Sequence, residues 1–181
     1  YSELLGAQAG WDAASVELLR LAAPMHDVGK IGIPDAILRK PGPLSPDEME
    51  VLKTPTVLGA KMLAGSSSPV LRLAQDIALC HHERWDGRGY PDQLAGEQIP
   101  LPSRILFVCD AFHAMTSDRP YRGAMRHEDA LEELRRNAGA QFDPAVVQAF
   151  LEVWPQIAAR GAIQEIDTPY GCLLYTSPSP R

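Results

Sequence analysis

Two adjacent pairs, His26-Asp27 and His81-His82, with Asp110 downstream, set imidazoles and carboxylates at intervals along a chain of 181 residues. Imidazole nitrogen and carboxylate oxygen are the ligands that hold iron, manganese or zinc at hydrolytic sites. The first pair lies in Met25-His26-Asp27-Val28-Gly29-Lys30, and the second opens His81-His82-Glu83-Arg84-Trp85-Asp86-Gly87-Arg88-Gly89-Tyr90-Pro91. A carboxylate such as Asp27 can bridge two metals, and metals a few ångströms apart can activate water against a phosphodiester. The residue types therefore point to metal-assisted hydrolysis. Taken singly they say less. A lone histidine at a helix end is usually a satisfied surface or core residue, and Arg119 and Arg122 would by default be solvated or paired with Asp118.

The elements that must position these groups read as helices. Ala13 to Met25 carries Leu18, Leu21, Ala22 and Met25 on one stripe, the spacing of a core-facing helix. Pro24 is expected to kink or end that helix just before His26-Asp27. Ser45-Pro46-Asp47-Glu48 supplies an N-cap, a proline at the first helical position and acids in the first turn. Leu58 to Leu63 and Pro69 to His82 read as further helices, the second delivering His81 and His82 at its end. Arg84 to Pro102 is polar and glycine-rich, a long loop of the kind that usually carries function. Pro102 to Thr116 brings Asp110 inward, and His127 to Asn137 and Pro144 to Ala159 complete an all-α bundle. Met62, Met115 and Trp154 read as core, and His127 as a helix-start residue.

Composition narrows the partners. A net charge of -6 argues against a nucleic-acid polymer, because phosphate-backbone binding needs clustered Lys and Arg. A small dinucleotide needs only a local positive patch. No run of about 18 apolar residues is present to span a bilayer. Among three cysteines, Cys80 and Cys109 read as buried thiols in a reducing cytoplasm.

These motifs in this order resemble the HD-GYP domain, the bacterial branch of the HD phosphohydrolases that opens cyclic di-GMP. From about Ala22 to Phe150 the matching pieces are His26-Asp27-Val28-Gly29-Lys30, Lys40-Pro41-Gly42, His81-His82-Glu83, Trp85-Asp86-Gly87, Gly89-Tyr90-Pro91, Asp110-Ala111-Phe112 and Phe142-Asp143-Pro144. The stretch from Ala114 to Arg122 matches as well. The resemblance implies an HD-domain helical bundle with a Gly-Tyr-Pro loop, two or three divalent metals (iron, manganese or zinc), and cyclic di-GMP as substrate. It implies His26, Asp27, His81, His82 and Asp110 as metal ligands, with Asp27 as the bridge. Lys30 is assigned to catalysis and phosphate pairing, and Tyr90, Arg119 and Arg122 to substrate binding. Glu83, Trp85 and Asp86 are expected to anchor the loop rather than touch substrate. An upstream receiver or sensor domain is common in the family, and diguanylate cyclase partners are expected with it.

Two departures stand out. Where the family usually has a metal-binding histidine after Lys53-Thr54, this chain has Pro55. Proline costs roughly 3 kcal/mol inside a helix but little at its start, and it offers no ligand. His113 stands where the family usually has aspartate after Asp110-Ala111-Phe112. It either substitutes as a ligand or marks a lost supporting carboxylate, and such losses typically weaken metal affinity ten- to a hundred-fold.

Residues 1–169 are therefore read as an HD-GYP domain that begins within the first family helix, whose upstream ligand falls before Tyr1. Residues 170–181, ending Cys172-Leu173-Leu174-Tyr175-Thr176-Ser177-Pro178-Ser179-Pro180-Arg181, resemble the translation of a sequencing adapter and are expected to be non-native. Two functions follow: a phosphodiesterase releasing pGpG or GMP, or a degenerate domain that binds nucleotide or protein without turnover. Pro55 favours the second, and retention of the other motif residues favours the first.

Overall fold

The computed structural model describes residues 1–40, 42–118 and 123–159. Among these the elements are helical, with no named strand and two isolated bridges, Asp86 to Ala95 and Ala138 to Phe142. The α-helices are α1 (Ser2–Gln8), α2 (Ala13–Ala22), α3 (Asp35–Leu38), α4 (Pro46–Lys53), α5 (Pro55–Leu63), α6 (Pro69–Cys80), α7 (Leu101–Thr116), α8 (His127–Arg136) and α9 (Pro144–Ala159). Three 3-10 turns, Ala23–Met25, Val28–Gly32 and Gly96–Gln98, join them.

Helix α7 is the centre. Eleven residues from Ser103 to Met115 are buried on it, covering nearly its whole surface, as expected of a helix surrounded by others. It packs against α1, α6, α8 and α9. Phe112 is fully buried on α7, with its ring 5.7 Å from that of Tyr1, 5.0 Å from Phe150 and 4.8 Å from Trp154. Burial of each such ring contributes roughly 1.5–3 kcal/mol. This dense end holds α7 rigid, and Asp110 sits on the same helix.

Local chemistry sets the helix starts. Asp12 accepts from the Ser15 N–H at 2.7 Å to cap α2. Ser45 and Glu48 form a reciprocal capping box on α4, with Pro46 in the first turn. Pro55 opens α5, where its missing N–H costs little. That helix starts three residues earlier than its apolar pattern suggests.

Two core assignments are corrected. Leu19 and Ala22 are fully buried on α2, whereas Leu21 is 42% exposed. The buried face is turned from the predicted stripe because α2 packs between α1 and α6. Met62 is 54% exposed. Helix α5 buries a face of small residues (Pro55, Thr56, Gly59 and Ala60) against α6 and the Val28–Gly32 turn, and Met62 falls off it. Met115 is buried, and Trp154 packs on the core.

Candidate metal centre

Pro24 ends the regular helix as expected. His26 then closes one 3-10 turn and Asp27 opens the next, so the pair sits at a sharp bend. Gly29 makes this bend possible: a Cβ there would run into the Pro55 carbonyl and the Gly59 N–H group of α5. His81 caps the C-terminus of α6, with His82 following it.

The two His-bearing bends converge. His26 Nε2 lies 3.2 Å from Asp27 Oδ2, and His81 Nε2 lies 3.7 Å from Asp27 Oδ1. The imidazole rings of His26 and His81 stand 5.2 Å apart, and those of His81 and His82 4.0 Å. One ligand-capable atom from each of Asp27, His81 and His82 falls within 4.8 Å of the others. Asp110 is buried on α7, and its charge reaches both His26 and His81.

The histidine orientation is fixed from behind. His26 Nδ1 is 2.8 Å from the Ala23 carbonyl, and His81 Nδ1 is 3.0 Å from the carbonyls of Ile77 and Ala78. An Nδ1–H that donates to backbone leaves Nε2 as a lone-pair donor facing the site. His26 Nε2, His81 Nε2 and Asp27 Oδ1 are all buried with no hydrogen-bond partner among the described residues. Buried polar atoms are nearly always paired, so the orphaned Asp27 Oδ1 and His81 Nε2, grouped with His82, mark a place for a cation, with His26 bordering that group through Asp27. The donor set of nitrogen and carboxylate oxygen fits a divalent transition metal.

Electrostatics agree. Burial pushes the His81 imidazole down to about 4, with the neighbouring His26 adding to the effect. Burial, then His81, holds His82 well below the usual histidine range. For Asp27, burial alone would raise the carboxyl, but His26, Lys30 and His81 outweigh it and hold it far below its usual range. His26 runs the other way: burial opposes the charged form, and the carboxylates of Asp27 and Asp110 more than offset it. At neutral pH His81, His82 and Asp27 are in the deprotonated forms that metal ligation needs.

Lys30 Nζ lies 2.6 Å from Asp27 Oδ2, one turn along, and borders the same centre. The ring of Tyr90 stacks on His82 at 4.9 Å and 29°. Its Gly89 neighbour is packed so closely on the backbone of His82, Glu83 and Arg84 that no side chain fits. The Tyr90-Pro91 peptide is cis. Glu83, Trp85 and Asp86 anchor the loop, as read from the sequence. Glu83 accepts from the N–H groups of Asp92 and Leu94, and Asp86 accepts from Arg84 and from the Arg88 N–H. The N–H groups of Trp85 and Asp86 donate to the carbonyls of Gln141 and Ala140. Arg104 pairs with Asp143 at 2.7 Å and covers the Trp85 ring at 5.8 Å. Arg104 and Asp143 are far apart in sequence, and their role as loop support had no local signal.

His113 is corrected as a substitute ligand: it is exposed on α7 whereas Asp110 is buried. His127 starts α8 and packs against Phe112 and Trp154, away from any ligand role. Cys80 and Cys109 are buried free thiols, each pushed up to about 12 by burial, then by nearby carboxylates for Cys80. Arg119 and Arg122 lie outside the described residues, as does the 170–181 segment.

The HD domain family matches residues 1–146, across both His-bearing bends. The chain belongs to the HD domain family, in its HD-GYP branch. This HD-GYP domain is 47% identical over 148 residues to a cyclic di-GMP phosphodiesterase of Thermotoga maritima, covering 82% of this chain and 40% of that protein. It is equally identical over 148 residues (47%) to a cyclic di-GMP phosphodiesterase response regulator of Xanthomonas campestris pv. campestris, covering 82% and 39%. The chain thus spans about two fifths of these curated relatives. A crystal structure of a cyclic GMP-AMP-specific phosphodiesterase from Vibrio cholerae shares the fold, with a TM-score of 0.63 at 21% identity, over 85% of this chain and 42% of that one. Its family is one of metal-dependent phosphohydrolases, and the Asp27 cluster is a group able to bind metal. No helix among the described residues is long and apolar enough to cross a membrane.

Proposed function

We propose that this domain is the hydrolytic part of a metal-dependent phosphodiesterase that opens cyclic di-GMP to pGpG or GMP. The observation that carries the reading is the gathering of Asp27, His81 and His82, with Asp27 Oδ1 and His81 Nε2 buried and unpartnered among the described residues. His26, Asp27, His81, His82 and Asp110 would hold two or three divalent ions of iron, manganese or zinc. Asp27 suits the bridging place, because one of its oxygens faces His26 and the other His81. When bound, such metals acidify water and take up charge on phosphoryl oxygens.

The protein's own groups divide the remaining work. Lys30, held at 2.6 Å from Asp27, balances the carboxylate now and can turn one of its donors to a phosphate oxygen when substrate enters. Tyr90 offers a ring and a hydroxyl at the rim of the site, for stacking on a base or donating to it. Arg119 and Arg122 are assigned to phosphate or guanine edges from the motif, since a guanidinium fork matches either.

The names of the Thermotoga and Xanthomonas relatives support cyclic di-GMP as the substrate and turnover rather than binding alone. The term response regulator in the Xanthomonas name supports an upstream receiver domain. Diguanylate cyclase partners and a cytoplasmic location belong to the same proposal. The test is hydrolysis of cyclic di-GMP and of cyclic GMP-AMP by the protein loaded with Fe(II), Mn(II) or Zn(II), resolved by chromatography. Linear product from cyclic di-GMP in preference supports the reading; no linear product from either, at full metal occupancy, overturns it.

A further inference from the structure

We infer that Glu83 is a positioning residue for His82, acting through the loop that lays the Tyr90 ring on that imidazole. The inference rests in part on the proposed function, since it gives His82 a ligand's need for fixed orientation.

Glu83 is a carboxylate only 1% exposed, immediately after His81-His82. Burying a charge is costly unless strong donors meet it. Here both oxygens are used: one accepts from the Asp92 N–H at 2.7 Å and the other from the Leu94 N–H at 3.1 Å. Charged acceptors make the stronger hydrogen bonds, so residues 92–94 are cinched back to residue 83. The chain between them must then fold over His82. Tyr90 N–H donates to the His82 carbonyl at 3.3 Å, and bare Gly89 allows that approach.

The result is a three-sided seat for one imidazole. His81 lies on the His82 ring at 4.0 Å, Phe107 meets it edge-on at 6.5 Å, and Tyr90 closes it at 4.9 Å. His81 and Phe107 belong to α6 and α7 and their ends, whereas Tyr90 comes from the loop. The outer part of the loop is fixed separately, through Trp85 and Asp86 to residues 140–141 and through the Gly96 N–H to the Trp85 carbonyl. The Glu83 tie thus acts on the Tyr90 side of the seat, together with the Tyr90 N–H bond to the His82 carbonyl.

The experiment compares wild type, Glu83→Gln and Tyr90→Leu as full chains. In the metal-free proteins, NMR reads the ring-proton shifts of His82, which carry the ring current of Tyr90. Competitive chelator titration then reads Mn(II) affinity. In Glu83→Gln the amide NH2 opposes one backbone N–H, so the His82 shift is expected to move toward its Tyr90→Leu value. Mn(II) affinity should fall ten- to a hundred-fold in both variants, the range of supporting-residue losses. A lowered melting temperature with the His82 shift and Mn(II) affinity unchanged would mean a merely structural tie and overturns the inference. Unchanged Mn(II) affinity in Tyr90→Leu, where the tie is intact, also overturns it. If wild type binds none of Mn(II), Fe(II) or Zn(II), the proposed function falls, and the NMR comparison still decides whether Glu83 seats His82.

Discussion

Asp27 Oδ1 and His81 Nε2 face each other at 3.7 Å, both buried and both without a hydrogen-bond partner among the described residues. They come from 3-10 turn and helix end 54 residues apart, and no local preference brings them together. Removing the carboxylate should therefore remove the site and spare the fold. Asp27→Asn is expected to lose at least about a hundred-fold in metal affinity, beyond the effect of a supporting residue. Its helical circular dichroism should stay as in wild type. Full metal retention by this variant, measured by elemental analysis after dialysis, would contradict the assignment.

Pro55 is buried at the start of α5, with its carbonyl packed on Gly29, two residues past Asp27. The backbone of residue 55 thus packs on the turn that follows Asp27. Pro55→His is expected to raise both bound metal per chain and turnover of cyclic di-GMP, because it restores the imidazole that the family resemblance implies at this position. Equal metal content and equal rate in the two proteins would show that Pro55 removes no ligand.

The same contact makes a stability prediction. Gly29→Ala places a methyl group against the backbone of Pro55 and Gly59, which cannot rotate away as a side chain would. Overpacking of this kind costs about 1–3 kcal/mol, enough to lower the melting temperature by about 2 °C or more in a domain this size. Calorimetry on the metal-free protein reads it. An unchanged melting point would mean that the Val28–Gly32 turn and α5 separate without cost.

Acid should weaken the metal-free protein in a defined window. His81 is held at about 4 when folded and titrates near 6.5 when unfolded, so only the unfolded chain gains this proton between those values. Stability therefore falls as pH drops from 6.5 toward 4, and His82, also depressed, acts in the same direction. His26 is raised, so its contribution is already complete below 6.5 and is lost only as pH climbs through its folded value, which leaves the 6.5-to-4 window to His81 and His82. Asp27 adds a further loss only below its ordinary 3.8, as its carboxylate is finally protonated. The urea midpoint should decline steadily on acidification from 6.5; a constant midpoint down to pH 4 would contradict neutral buried histidines.

What the sequence could say depended on how local the cause was. The N-cap at Ser45 with Pro46 after it and the break at Pro24 need only neighbouring residues, and both stand where they were read. The ligand pairs were legible because many flanking motifs, in one order and spacing, resembled one family; the His-Asp and His-His pairs alone say little. Which side of a helix is buried was not legible. Leu19 rather than Leu21 faces inward because α1 and α6 flank α2, and Met62 is left out because a small-residue face of α5 suits the close approach to Gly29. The exposure of His113 and the Arg104–Asp143 pair behind Trp85 are likewise tertiary facts. Arg119 and Arg122 fall outside the described residues, and their substrate role rests on the motif alone.

The central claim is that one compact set of side chains, gathered from three parts of the chain, grips divalent cations. Crystals of the protein soaked in Mn(II) test it most directly, through anomalous scattering recorded near the manganese edge. The account predicts peaks within coordination distance of Asp27, shared among His26, His81, His82 and Asp110. Anomalous density elsewhere on the surface, with none beside Asp27 at saturating Mn(II), would contradict it.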